Sequence, residues 1–153
     1  MKTPLRNARK GQVVNGNIFT YGSLMFDEVW RQVVTGQYHS ESAVLHHHRR
    51  HALTGLSYPG VVAAPGEQVA GRLYLDVSAG DMARLDAFEG SEYRRDALQV
   101  LLASGEPASA WTYIWLDPQR LSGQPWQSDA FCLREFLQTY PPAAADDQRA
   151  PGS

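Results

Sequence analysis

The stretch NIFTYGSLMFDEVW, residues 17–30, passes from a predicted strand to a predicted helix through three residues only: Tyr21, Gly22 and Ser23. Residues 17–21 are rich in β-branched and aromatic side chains, which favours a strand. Glycine lets a ligand or another chain segment approach the backbone closely. The connection is therefore predicted to be a tight turn that exposes backbone groups for binding.

The helix after this turn is predicted over residues 27–34. Asp27 and Glu28 are favourable in its first turn, because the N-terminal end of the helix dipole is positive, and Gly36 is typical of a helix stop. Successive N–H groups ahead of a helix form an anion-binding surface. Two other interpretations are weaker: Ser23 lies outside the G-x-S-x-G pattern of a nucleophile elbow, and the turn lacks the G-K-[ST] of a phosphate loop.

Length and charge restrict the possible functions. With 153 residues, of which 43% are hydrophobic, the chain is predicted to fold as one domain over residues 15–140, between a flexible segment, 1–14, and a disordered tail, 141–153. The formal net charge of −2 gives no overall attraction to nucleic acid or to an anionic membrane. A small neutral or zwitterionic partner fits this charge at least as well.

The cysteine content indicates a reducing compartment. Cys132 is the single cysteine, so no internal disulfide can form. The first residues are basic but lack the apolar region of a signal peptide, and no apolar run is long enough to span a bilayer. These features predict a cytoplasmic protein.

The remaining pattern predicts an α+β fold. Further strands are expected at residues 43–56, 68–77, 97–102 and 108–115, separated mostly by turns, and a closing helix is expected at 128–140. Strands without intervening helices argue against a doubly wound parallel sheet. A mixed or mostly antiparallel sheet, closed into a small barrel and flanked by helices, is the predicted architecture.

A second helix is predicted between Ser78 and Gly90. Ser78 followed by Asp81 resembles a capping box, and glycine commonly ends helices. Within this helix Met82, Leu85 and Glu89 share one stripe, so a carboxylate falls on the face that packs against the core.

Desolvation of Glu89, the negative end of the helix dipole and the like charge of Asp86 should all raise the pKa of the Glu89 carboxyl. A carboxylate whose pKa lies near neutrality is suited to general acid–base catalysis. The alternative is that Glu89 merely reaches solvent at a fraying helix end.

The run HHHRRH, residues 46–51, invites a metal or nucleic-acid interpretation. In a strand, His46 and His48 would point to one face and His47 and Arg49 to the other, which leaves at most a partial metal site. A solvated basic strand, or a contribution to the pocket of an anionic substrate, is the preferred interpretation, and no metal is predicted.

Four motifs occur in order along the chain: TYGSL at 20–24, YPG at 58–60, VAGRLY at 69–74, and LDAFEG at 85–90 followed by Tyr93 and Arg94. Together they resemble the gamma-glutamylcyclotransferase superfamily, in particular the branch that contains plant avirulence-induced-gene proteins and gamma-glutamylamine cyclotransferases. The resemblance implies a small mixed β-barrel flanked by helices. It also implies conversion of a gamma-glutamyl compound to 5-oxoproline with release of an amine or amino acid.

Carried over by position, the resemblance makes Glu89 the catalytic acid/base. It assigns the grip on the glutamyl group to the turn formed by Tyr21, Gly22, Ser23 and Leu24. The substrate supplies its own nucleophile, the α-amino group, so neither a metal nor a cofactor is required. The expected partner is a small gamma-glutamyl compound.

Other parts of the pocket are predicted from residue type. Tyr93 and Tyr113 are candidate pocket-lining residues, although a strand tyrosine such as Tyr113 often belongs to the core. Segments 57–66 and 116–126 are expected to be loops that contact the leaving group. A non-catalytic binding module on the same fold is the alternative function.

Overall fold

The structure, a computed structural model, describes residues 16–127. Within this range the chain forms six strands and two α-helices. From the N-terminal end they are β1 Ile18–Thr20, α1 Asp27–Val33, β2 Ser40–Leu53, β3 Pro59–Tyr74, α2 Ala79–Glu89, β4 Tyr93–Leu102, β5 Pro107–Trp115 and β6 Leu121–Pro125. Short 3₁₀ turns occupy Ser23–Met25 and Pro118–Arg120.

Five of the strands close into a mixed barrel. The sheet order is β3-β1-β5-β4-β2-β6, and β2 also pairs with β3, which joins the two ends of the five-strand ring. β1 is parallel to β5 and antiparallel to β3. Closure removes free edges from those five strands, and the predicted α+β barrel with flanking helices is confirmed.

Successive side chains of the short strand β1 pack into two different hydrophobic clusters. Phe19 is fully buried among strand residues of the barrel interior such as Leu45, Leu73 and Ile114. Ile18, one position earlier, is buried in a second cluster with Trp30 of α1 and other helix residues. Neighbouring strand residues face opposite sides, so three residues of β1 tie both helices to the barrel.

Several predicted boundaries are wrong. β3 begins at Pro59, so most of the segment 57–66 is strand rather than loop. Residues 64–67 lie between Ala63 and Gln68, whose partners on β2 are His48 and His46. The turn-like sequence APGE is therefore an insertion within a strand, which single-chain patterns do not distinguish from a loop. The segment 116–126 likewise contains a 3₁₀ turn and β6, which pairs with β2.

The predicted alternation of the histidine run is also wrong. His47 has φ of 62°, and the register of β2 against β3 shifts between His46 and His48. The Nδ1 atom of His47 accepts a hydrogen bond from the Gly66 N–H at 3.1 Å. The bulge therefore breaks the two-residue period at the middle of the run.

Helix α2 begins and ends where the sequence predicts. The Ser78 hydroxyl accepts the Asp81 N–H, and Gly90 closes the helix with φ of 85°. In a full capping box the Asp81 side chain would also accept the Ser78 N–H. Here the Ser78 N–H donates to the Tyr38 hydroxyl instead.

The Asp81 carboxylate instead ties α2 to the segment after α1. It is fully buried and accepts the N–H groups of Thr35 and Gly36, both at 2.9 Å. Burial alone would raise its pKa. Hydrogen bonds from Tyr38, Thr35 and Gly36 outweigh that effect and lower the pKa to about 2.

The helix expected at 128–140, Cys132 and the two terminal segments predicted to be disordered lie outside the described residues. No helix within residues 16–127 combines the length and the apolar character needed to cross a bilayer.

Candidate active site

A pocket opens where the turn after β1 faces the C-terminal end of α2. It contains all seven predicted site residues: Tyr21, Gly22, Ser23, Leu24, Glu89, Tyr93 and Tyr113. Phe19, Thr20, Tyr58, Pro59 and Phe88 complete the lining. Residues from β1, β3, β4, β5 and α2 thus converge on one cavity.

The turn presents unpaired backbone donors. After Thr20 the chain leaves β1 and enters the 3₁₀ turn Ser23–Met25, which leads into α1. Within the described part of the chain, no acceptor is found for the backbone N–H groups of Gly22, Ser23 and Leu24. All three residues are buried and line the pocket, and buried N–H groups without partners are rare. The wall formed by the turn therefore suits an anionic or carbonyl oxygen.

Gly22 is required by a close contact rather than by a positive φ. A Cβ atom at this position would lie 2.8 Å from both Cδ and Cγ of Pro59. Proline is a rigid neighbour, so it cannot yield as a long side chain can. The packing of the turn against β3 thus depends on the absence of a side chain at position 22.

Glu89 is the last residue of α2 and faces the same pocket. The residue is half-buried. In the described region its carboxyl group has neither a hydrogen-bond partner nor an ion-pair partner. Withdrawal of the carboxyl from water, followed by the nearby charge of Asp86, raises its pKa to about 8. The pKa increase expected from the sequence is present, with burial and Asp86 as its causes.

Asp86 lies one turn before Glu89 on α2 and is hydrogen-bonded to Tyr113 of β5. Its Oδ1 accepts the Tyr113 hydroxyl at 2.7 Å, and its two oxygens accept Nε and Nη2 of Arg95 at 2.8 and 3.1 Å. The Arg95 guanidinium also lies 4.5 Å from the centroid of the Trp111 ring. A bidentate, stacked arginine therefore fixes Asp86 in place.

The hydroxyl protons of two pocket tyrosines are directed away from the cavity. Tyr21 donates to the backbone carbonyl of Tyr113 at 2.6 Å, and Tyr113 donates to Asp86. Burial, with a smaller contribution from the charge of Glu89, raises the pKa of Tyr21. Burial and Asp86 also raise the pKa of Tyr113. The Tyr21 oxygen already accepts the Val61 N–H, whereas the Tyr113 oxygen keeps a lone pair, so the Tyr113 side of the pocket suits a hydrogen-bond donor such as an ammonium group.

Tyr93 is placed by a different contact. Its hydroxyl donates to the Pro59 carbonyl at 2.7 Å, and its ring meets Tyr113 edge to face with the centroids 6.3 Å apart. The tyrosine expected from the sequence therefore joins β4 to the start of β3 and closes one side of the cavity.

Sequence reasoning missed some lining residues. Tyr58 and Pro59 belong to the YPG motif that carries the family resemblance, and that motif was the available signal for them. Phe88 lies beside Glu89 on α2, and the LDAFEG motif was the available signal for it. The segment 116–126, predicted to contact the leaving group, contributes nothing to the lining of this pocket.

Potential metal ligands do not cluster in the part of the chain that the structure describes. Across residues 16–127, no group of three or more His, Cys, Asp or Glu side chains is arranged to hold a metal ion. The chemical resources of the pocket are thus a carboxyl group of raised pKa, phenol oxygens and backbone N–H donors.

Comparison with known proteins decides the relationship of the chain. The family described as "Gamma-glutamyl cyclotransferase, AIG2-like" matches residues 18–131. The chain belongs to this family. It is 35% identical over 107 residues to AIG2-like protein D of Arabidopsis thaliana, an alignment that covers 69% of this chain and 70% of that protein.

Solved structures share the fold of this family member. The solution structure of an Arabidopsis thaliana protein superposes with a TM-score of 0.66 at 28% identity, covering 84% of this chain and 81% of that one. A structure named gamma-glutamyl cyclotransferase gives a TM-score of 0.58 at 17% identity, covering 65% and 66%. At that identity the second likeness concerns the fold alone.

Proposed function

We propose that this member of the AIG2-like family is an enzyme that converts a gamma-glutamyl amine, amino acid or peptide to 5-oxoproline and a free amine. One observation carries the proposal: the unpartnered carboxyl of Glu89, with a pKa of about 8, shares a pocket with the N–H groups of the Tyr21–Leu24 turn. A base and a set of donors for the substrate are the groups that this reaction needs.

Glu89 acts first as base and then as acid. Its ionised carboxylate takes a proton from the α-ammonium of the substrate, and the resulting amine attacks the gamma-carbonyl carbon. A carbon–nitrogen bond forms and closes a five-membered ring. The proton held by Glu89 passes to the leaving nitrogen, and the old carbon–nitrogen bond breaks. The ionised Glu89 then takes the extra proton from the ring nitrogen, which leaves the lactam of 5-oxoproline, and passes it to the released amine, which departs as an ammonium ion.

The remaining residues position the substrate. Backbone N–H groups at Gly22, Ser23 and Leu24 bind the α-carboxylate or the developing oxyanion, and the Tyr113 oxygen accepts from the α-ammonium. Because the attack is intramolecular, holding the glutamyl group in a reactive conformation supplies much of the rate acceleration. No metal or cofactor takes part in the proposed reaction.

The substrate is a small molecule, and the proposal includes a cytoplasmic location, since a chain with one cysteine suits a reducing compartment. The leaving group is left as a class, because the predicted loop 116–126 does not line the pocket. Nucleic acid and membrane are not proposed as partners of this weakly acidic chain.

The test measures 5-oxoproline from gamma-glutamyl dipeptides, gamma-glutamylamines and gamma-glutamyl-lysine. The native protein is expected to turn over at least one class. Glu89→Gln, which cannot act as a base, should lose activity by at least about 10²-fold. Glu92→Gln, at an exposed position three residues away, is the matched control and should remain active.

Turnover that survives in Glu89→Gln would contradict the assigned role. A native protein that binds these compounds but forms no 5-oxoproline from any of them would instead support the non-catalytic binding module.

A further inference from the structure

Arg50 of β2 lies behind the turn after β1. Its Nη1 donates to the Tyr21 backbone carbonyl at 2.8 Å and approaches the Ala70 carbonyl at 3.5 Å. The guanidinium stacks 5.1 Å from the centroid of the Trp126 ring, whose Nε1 donates to the Ser57 carbonyl at 2.9 Å. Arg50 belongs to the basic run 46–51, which the proposed function leaves without a role.

The charge of Arg50 has no counter-ion in the described region. Four arginine–carboxylate ion pairs occur among residues 16–127, and Arg50 takes part in none of them. Its neighbour Arg49, by contrast, approaches Glu67 at 4.0 Å and donates to the Gly123 carbonyl at 3.0 Å. Arg50 is half-buried, and a partly desolvated cation without a carboxylate is costly unless an anion completes its surroundings.

The contact with Tyr21 fixes the direction of the next N–H group. A trans peptide is planar, so the Tyr21 carbonyl and the Gly22 N–H point to opposite sides. With Arg50 on the carbonyl side, the Gly22 N–H points away from Arg50, and it has no acceptor among the described residues. A charged donor on the carbonyl also polarises the amide and strengthens its N–H as a donor.

We propose that Arg50 is a positioning residue for the substrate α-carboxylate, acting through the Tyr21–Gly22 peptide that it orients and polarises. The inference rests on the proposed function in one respect: that function identifies the substrate α-carboxylate as the group that the turn binds. Arg50 itself does not touch the substrate in this arrangement.

The test compares two ligands that differ in one charge. Binding of 5-oxoproline and of its neutral amide, 5-oxoprolinamide, is measured by calorimetry or NMR titration, without any need for turnover. Arg50→Gln is expected to weaken 5-oxoproline binding about tenfold and to leave 5-oxoprolinamide nearly unchanged, because a charge-assisted hydrogen bond is removed. Arg50→Lys should recover part of the loss, since lysine keeps the charge but not the planar fork.

Arg49→Gln is the matched control, because it removes the neighbouring arginine on the same strand, and it should alter neither affinity. For a catalytically active protein, Arg50→Gln should raise KM with little change in kcat. If Arg50→Gln does not fold, the ratio of the affinities for 5-oxoproline and 5-oxoprolinamide is compared between Arg50→Lys and the native protein instead.

A purely structural role of Arg50 would weaken the binding of both ligands equally and leave the ratio of their affinities unchanged, and that result would overturn the proposal. A native protein that does not bind 5-oxoproline would overturn it as well. Loss of 5-oxoproline formation across the substrate panel, with the charge-dependent binding intact, would remove the proposed function and leave the role of Arg50 standing.

Discussion

The Tyr113 hydroxyl donates a 2.7 Å hydrogen bond to Oδ1 of Asp86, the residue whose charge helps to raise the pKa of Glu89. The bond joins β5 to α2 behind the lining of the pocket. It places a negative charge close to the proposed base and turns the Tyr113 proton away from the cavity. Arg95 holds Asp86 from the other side through two hydrogen bonds, so the polarity of the pocket is set by groups behind its lining.

The pH dependence of activity should follow Glu89. Because the carboxylate form takes the substrate proton, kcat/KM is expected to rise with pH through about 8. Asp86→Asn removes a like charge and should move this midpoint to lower pH. The measurement is kcat/KM from about pH 6 to about pH 9 for both proteins.

Asp96→Asn is the control for that series, because Asp96 pairs with the exposed Arg94 on β4 at 2.8 Å. Its midpoint should equal that of the native protein. A midpoint that stays fixed in Asp86→Asn would show that Asp86 does not act on the catalytic group.

Glu89 should make the protein less stable as pH rises. Its pKa is about 8 when folded against an ordinary value of 4.5. Below pH 4.5 the carboxyl is neutral in both states. Between those values the unfolded chain ionises while the folded one resists, so the folded state loses relative stability.

In Glu89→Gln this loss is absent. Above pH 8 its free energy of unfolding should exceed that of the native protein by roughly 3 kcal/mol, a value that allows for solvent screening of the partly exposed carboxyl. Denaturant titrations at several pH values measure the difference, which should vanish near pH 4. A difference that is independent of pH would contradict the raised pKa.

Gly22→Ala should damage the turn. The added Cβ would stand 2.8 Å from the Pro59 ring, so the turn or β3 must shift, at a cost of about 1–3 kcal/mol. Affinity for 5-oxoproline should fall with it. The measurements are thermal unfolding and ligand titration.

Gly80→Ala on α2 is the opposite case. Apart from the adjoining residues and the backbone of the helix itself, the nearest atom to its added Cβ is Nη1 of Arg84 at 3.4 Å, the end of a flexible side chain. Alanine favours helix over glycine, so this variant should gain up to about 1 kcal/mol and bind normally. Equal behaviour of the two variants would rule out the contact with Pro59 as the reason for glycine at position 22.

The elements that the sequence predicted correctly are those whose signals lie within a short stretch of the chain. The turn after β1 follows from a strand that passes directly into a helix, and α2 follows from Ser78, Gly90 and an apolar stripe interrupted by Glu89. Helix signals depend on residues three or four positions apart, so one chain segment was sufficient to find each element.

The missed parts depend on distant or irregular pairing. Pro65 and Gly66 resemble a turn, although the surrounding residues form one strand with a bulge. Asp86 and Tyr113 are 27 positions apart, and Arg50 lies 29 positions from Tyr21. Local periodicity carries no information about such pairs, which become neighbours only when the strands align.

The parallel pairing of β1 with β5 has a consequence for how the site forms. Tyr21 and Tyr113, joined by a hydrogen bond next to that pairing, are separated by 92 positions. Contacts of such long sequence separation carry a large loop-closure entropy, and proteins that depend on them fold slowly. Neither the β2–β3 hairpin nor α2 contains the pocket by itself. Tyr113 reaches the pocket only when β5 pairs with β1, so full ligand-binding competence reports that this long-range pairing has formed.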